Sequence, residues 1–161
     1  MSQELFLGFL EKDSLFLNNK YSVFPFVILA LLLGGLSSSD TASDLWYLEL
    51  NKSSLNPPGY VFGIVWPILY ILMSISAFRT YAETKNLFLI QLFFNAIWSW
   101  LFFAFHMPLI ALLNIWFLIA LNIRLTIDMF KLDRISGILF IPYVIWLLFA
   151  SYLNLYIVIN N

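Results

Sequence analysis

Cysteine is absent from the 161-residue chain. Its absence removes disulfides, thiolate metal sites and thiol catalysis together, and leaves no signature of a redox compartment. Charge is scarce as well. Asp, Glu, Lys and Arg make up 11% of the residues, where a soluble domain carries about a quarter. So few charges cannot cover the surface of a domain this size, and the solvent must be largely lipid. The net charge of −1 points to no class of partner. Histidine occurs once, at His106, in a tight turn beside Pro108 with no acidic neighbour in sequence. A metal site needs more ligands than that, and none is expected. There is no Ser–His–carboxylate set and no glycine-rich phosphate loop. No basic patch interleaved with aromatics marks a nucleic-acid partner. Nor does a charge lie in the middle of an apolar run, as a proton or ion relay requires.

What the chain has instead is apolar and aromatic side chains, 62% and 19% of its residues. The apolar residues fall into five runs, at about 21–38, 60–79, 87–105, 108–127 and 135–158. A spanning helix takes about 20 residues. The expected fold is therefore an all-α membrane protein, a bundle of five transmembrane helices covering 21–158. The first run precedes small residues, Ser37 to Ser39, as the apolar part of a signal peptide does. The stretch before it is acidic and too long for a leader, so it reads as a retained helix. Residues 1–20 mix charges with Leu5, Phe6, Phe9 and Leu10 near helical spacing. That pattern suits an interfacial amphipathic helix or a frayed tail.

Connections at 80–86, 106–108 and 128–134 are short, which makes sequential helices antiparallel neighbours. The exception is the long loop 39–59. With five spans, Lys12, Lys20, Arg79, Lys85, Arg124, Lys131 and Arg134 collect on one side and only Lys52 on the other. The excess of basic residues puts the N-terminus in the cytoplasm and loop 39–59 on the opposite side.

The stretch from Trp46 to Tyr81 organises the rest. It begins in a polar, aromatic loop, crosses Pro57-Pro58 and enters the second apolar run. Helical spacing aligns Phe62, Trp66 and Tyr70 on one face of that run. It aligns Gln91, Asn95, Trp98 and Phe102 on the third, Asn114 with Ala111 on the fourth, and Tyr143, Trp146, Ala150 and Asn154 on the fifth. Amides in a bilayer are costly unless they face protein or a cavity. They should point inward and carry the aromatic stripes with them. Such an interior suits a flat, hydrophobic ligand with a few polar atoms. Two plainer readings stand beside it. Asn and Gln between membrane helices often serve as interhelical glue, and Trp46, Tyr47, Trp66 and Trp146 can act as interfacial anchors or plain packing. Pro67 and Pro142 fall inside apparent helices, where a kink opens space. Arg124 and Asp128, one turn apart, read as an interfacial ion pair.

Several motifs keep a familiar order and spacing. Trp46-Tyr47, Lys52, Asn56-Pro57-Pro58, Val65-Trp66, Leu69-Tyr70 and Met73 are followed by Asn95, Trp98, Phe102 and Phe103. Then come Pro142-Tyr143, Trp146, Phe149-Ala150 and Leu153-Asn154. Over residues 22–156 this pattern resembles the translocator protein family, also called tryptophan-rich sensory proteins, peripheral benzodiazepine receptors or the TspO/MBR family. It departs at Ser53, Leu55 and Ser74, where the family pattern has proline, tryptophan and glycine. The first two changes predict a looser lid or a shifted ligand preference. The basic residue of a sterol-type motif is missing after Asn154.

The resemblance implies a five-helix bundle, a homodimer in the bilayer, and a cavity closed by the loop after the first helix. It also implies porphyrin, haem, sterol or benzodiazepine-type ligands, none covalently attached, and pocket positions at Tyr47, Trp66, Tyr70, Asn95, Trp98, Trp146, Ala150 and Leu153. The leading expectation is a membrane receptor or carrier for protoporphyrin IX or haem. In it Trp66 and Trp146 flank the ligand, Asn95 contacts it, and Trp46, Tyr47, Lys52, Asn56, Pro57 and Pro58 shape the lid. A second expectation is Trp66- and Trp146-dependent oxidative or photochemical breakdown of the porphyrin. A third is a structural or regulatory subunit without a ligand. The widest set of candidate contacts adds Phe62, Asn114 and Tyr143.

Overall fold

The computed structural model describes residues 19–39 and 41–161. Lys12 and the expected interfacial segment, apart from its last residues, lie outside them. The described residues form helices and loops, with no strand among them. A 3₁₀ turn, Lys20–Ser22, leads into α1 (Val23–Ser37). The short α2 (Leu45–Glu49) sits within the long loop, and α3 spans Gly59–Arg79. Next come α4 (Tyr81–Ser99), which continues as a π-helical turn over Trp100–Ala104, then α5 (Pro108–Leu132) and α6 (Arg134–Asn160). Among the described residues five segments are long and apolar enough to cross a bilayer: α1 with its lead-in turn, α3, α4 with its π turn, α5 and α6. The chain is an all-α bundle of five such helices.

Local chemistry sets the ends. Asp133 caps α6, its Oδ2 accepting from the Ser136 amide at 3.1 Å and the Ser136 hydroxyl at 2.6 Å. Pro108 opens α5, where its missing N–H costs no intrahelical bond. His106, in the turn before it, has φ 53°. Pro67 and Pro142 sit inside α3 and α6 without ending them. Two connections are far shorter than the hydropathy suggests. A single residue, Thr80, separates α3 from α4, and Asp133 alone separates α5 from α6. Charged residues such as Glu83, Lys85, Arg124 and Asp128 ride on helical turns at the bundle's end. Polarity marks where the bilayer stops, and hydrogen bonding carries the helix further.

The helices close a ring in the order α1, α3, α6, α5, α4. Sequential neighbours pack well from α4 onward, α5 against α6 most extensively. There Gly137 lies against the Phe130 ring, where a Cβ would collide. In contrast, α3 and α4 meet along little of their length, and the main partner of α3 is α6. The core holds fully buried Met73, Phe88, Leu118, Phe140 and Tyr143. Ile64, Ile68, Ile71, Ile145 and Leu148 are exposed on the outside, as lipid-facing side chains are. Burying the outer faces needs no partner helix when the solvent is hydrocarbon.

A lidded cavity between four helices

The gap between α3 and α4 is a cavity of about 810 Å³, bounded by α1, α3, α4, α6 and the long loop. The helix α5 contributes no lining residue and acts as a strut behind α4 and α6. One wall comes from α3 and α6. Phe62, Trp66, Tyr70, Trp146 and Ala150 face the space. The Trp66 and Trp146 rings meet edge to face, 6.5 Å between centroids with planes at 82°. Phe62 adds a second edge contact to Trp146 at 5.8 Å. The two indoles therefore form one continuous wall, with no slot between them for a flat ring. The Trp146 Nε1 is buried and has no hydrogen-bond partner among the described residues.

The opposite wall is α4, through Asn95, Trp98, Ser99 and Phe103. Phe103 gets there by the π turn, in which Phe105 N donates to Trp100 O at 2.9 Å, five residues back. The i→i+5 winding brings Phe103, five residues on, to the Trp98 side at 5.9 Å between ring centroids, while Phe102 stacks on Trp98 at 5.5 Å. A π turn of this kind is rare and often sits at a functional site. Hydropathy carries no sign of it.

Deep in the cavity lies a chain of neutral hydrogen bonds. Tyr70 donates its hydroxyl to Asn95 Oδ1 at 2.5 Å, and Asn95 Nδ2 donates to the Tyr143 hydroxyl at 2.8 Å. One amide thus ties α3, α4 and α6 together while its residue lines the cavity. Tyr143 is wholly buried behind Asn95 and is absent from the lining.

The lid consists of α2 and its flanking turns. It contributes Tyr47, Lys52, Asn56, Pro57 and Pro58 to the lining. Asp44 caps α2 through the Trp46 amide at 3.0 Å, and its other oxygen meets His106 Nε2 at 2.9 Å. Trp46 stacks flat on the His106 ring, 4.2 Å between centroids and 14° between planes. Farther along, Asn51 N donates to Asn161 Oδ1 at 2.8 Å, and the Ser53 and Tyr152 hydroxyls lie 3.1 Å apart. Ser53, a departure from the expected motif, is a buried anchor of the lid, whereas Leu55 is mostly exposed. At the cavity edge the Lys52 ammonium lies 4.3 Å from the centre of the Tyr47 ring. Burial shifts the Tyr47 phenol upward, against a smaller opposing hydrogen bond from Asn56. Desolvation lowers the Lys52 ammonium.

Four expected contact residues do not line the cavity. Trp46 faces His106 and Phe102 instead. Asn114, on α5, donates Nδ2 to the Phe94 carbonyl at 2.9 Å, the role of interhelical glue. Tyr143 positions Asn95, and Leu153 is buried away from the lining. Asn154 holds the Trp98 indole N–H at 3.3 Å and reaches Pro108 O at 2.8 Å. The structure also adds lining residues that periodicity did not single out. Gly34, Gly35 and Ser38 from the end of α1 border the space, as does Thr41. Gly34 faces its own chain, with its carbonyl 3.1 Å from Ser99 Oγ. Small polar residues at a helix end give no periodic signal.

Sequence comparison places this architecture. The model of the TspO/MBR family matches residues 23–159. A tryptophan-rich sensory protein of Cereibacter sphaeroides is 36% identical over 119 residues, 69% of this chain and 73% of the relative. A tryptophan-rich protein TspO of Archaeoglobus fulgidus is 35% identical over 146 residues, 84% of this chain and 94% of the relative. The human translocator protein is 28% identical over 119 residues, 68% and 70% of the two chains. With the five spanning helices, these matches identify a multi-pass integral membrane protein, and the chain belongs to the TspO/MBR family.

Proposed function

We propose that this protein is a membrane receptor or carrier for a tetrapyrrole such as protoporphyrin IX or haem, held without a covalent bond. The observation that carries the reading is the lidded cavity of about 810 Å³. That volume lies within the range of about 300–1,000 Å³ found for cofactor and drug-sized ligands. Its aromatic walls offer large apolar faces to a flat ring, and its polar atoms are few and mostly neutral. The names sensory protein and translocator protein, borne by relatives, are consistent with signalling or carriage of a bound molecule.

In this reading the ligand lies against the joined Trp66–Trp146 wall, with Asn95 offering a hydrogen bond. Phe103 and Trp98 close the other side, and the lid covers the mouth. The mouth faces away from the cytoplasm, since Arg79, Arg124, Lys131 and Arg134 cluster at the other end of the helices. Burial of apolar area drives binding, and the polar atoms select orientation. The test is titration of the purified protein with protoporphyrin IX, followed by tryptophan fluorescence. Saturable quenching supports the reading. A protein without a small-molecule site gives none.

A further inference from the structure

We infer that the cavity is selective for an acidic ligand, with Lys52 as the group that receives a carboxylate at the mouth. The inference rests on the tetrapyrrole reading and adds charge selectivity to it. Among the described residues, Lys52 is the one basic residue in the lining, and none that lines it is Asp or Glu. Every other polar lining group is neutral, among them Tyr47, Asn56 and Asn95. Among the described lining residues the one charge is therefore positive.

The charge is held in place rather than left to wander. Lys52 Nζ sits over the Tyr47 ring at 4.3 Å and reaches the Leu48 carbonyl at 3.5 Å. Neither contact neutralises it, and no carboxylate lies within ion-pair distance of it among the described residues. The acids of the described loop residues are accounted for. Asp44 pairs with His106 across the lid, and Glu49 is exposed at the end of α2. The neighbouring backbone is pinned by the Asn51–Asn161 and Ser53–Tyr152 contacts, so the ammonium starts from a fixed point. An incoming carboxylate finds an accessible cation whose present partners are an aromatic face and one long carbonyl contact. A charge-assisted hydrogen bond is stronger than either. Asn56, also in the lining, can donate a second hydrogen bond. A tetrapyrrole with acidic side chains would lie with its ring on the tryptophan wall and an acid group toward the lid.

The test compares protoporphyrin IX with its dimethyl ester, which keeps the ring and removes the charge. Both are titrated into wild type, Lys52→Met and Lys52→Arg, with tryptophan quenching as the readout. Wild type should bind the acid about tenfold more tightly than the ester. Lys52→Met should bring the two affinities together by weakening the acid alone, and Lys52→Arg should keep the preference. Unchanged ester binding in Lys52→Met also shows that the cavity is intact. Equal affinities for acid and ester in wild type overturn the selectivity and leave the tetrapyrrole reading standing. A preference that persists in Lys52→Met overturns the assignment to Lys52. Failure of wild type to bind either compound overturns the tetrapyrrole reading and this inference with it.

Discussion

Trp66 of α3 and Trp146 of α6 touch edge to face, their ring centroids 6.5 Å apart. The contact seals the seam between two helices that are distant in sequence and makes one aromatic wall from two side chains. A flat ligand is thus expected to lie on the wall, where it meets both indoles on the same side. Replacing either tryptophan with alanine removes large apolar area and opens the seam. Trp66→Ala and Trp146→Ala should each weaken protoporphyrin IX binding by about tenfold or more. Competition with an unlabelled porphyrin measures this without relying on the deleted fluorophore.

Ala150 lies in the lining one turn beyond Trp146. A larger side chain there would project into the space the ligand needs. Ala150→Phe should reduce affinity by about tenfold or more, while stability changes by about 1 kcal/mol or less because the ring enters a void instead of a packed core. Paired binding and thermal-unfolding curves separate the two effects.

The Tyr70–Asn95–Tyr143 chain joins three helices through one amide. In Asn95→Leu both phenols lose their partner in an apolar interior. The expected loss of stability is about 1–3 kcal/mol, measured by denaturant unfolding in detergent. Tyr143→Phe, which removes only the far link, should cost less.

His106 clasps the lid from the turn between α4 and α5. It carries both the Asp44 contact and the Trp46 stack, and its backbone occupies the left-handed region. Asparagine tolerates that conformation but cannot reproduce the stack. In His106→Asn, amide hydrogen exchange across residues 41–58 should accelerate by about tenfold, with the buried amides of α6 unchanged.

Asp133 links pH to stability at the other end of the bundle. The Arg79 guanidinium, with Nε 2.6 Å from Oδ2, and the Ser136 hydroxyl hold its carboxyl well below the usual carboxylate range. A carboxyl with a depressed folded-state pKa contributes stability that is complete above its unfolded value of about 3.9. That contribution fades as pH falls through the folded value. The melting temperature should therefore fall on acidification below about pH 4, and Asp133→Asn should flatten that part of the curve. Melting scans from neutral to acid pH check the sign.

Fold class was legible because lipid simplifies the code. Runs of about 20 apolar residues can only be helices in a bilayer, and five such runs became five helices. Helix ends were less legible. Glu83 and Asp128 look like loop residues, yet each stays helical, since leaving the bilayer does not interrupt the hydrogen-bond ladder. The inward faces of α3, α4 and α6 followed from helical spacing and the cost of buried amides, which brought Trp66, Asn95 and Trp146 to one space. Spacing could not say that α5 stands behind the cavity, so Asn114 and Asn95 looked alike. Nor could it reveal the π turn that redirects Phe103, or the Ser53–Tyr152 contact, which joins residues 99 positions apart. Those features arise from packing between elements, where no local pattern exists.

The space beneath α2 is proposed to hold a tetrapyrrole. The most direct test is the titration of wild type and Ala150→Phe with protoporphyrin IX under identical detergent conditions, with tryptophan quenching recorded. Wild type should show saturable quenching at one ligand per chain, and the variant a curve shifted to about tenfold higher concentration or more. Linear, non-saturating quenching that is the same in both proteins would contradict the proposal.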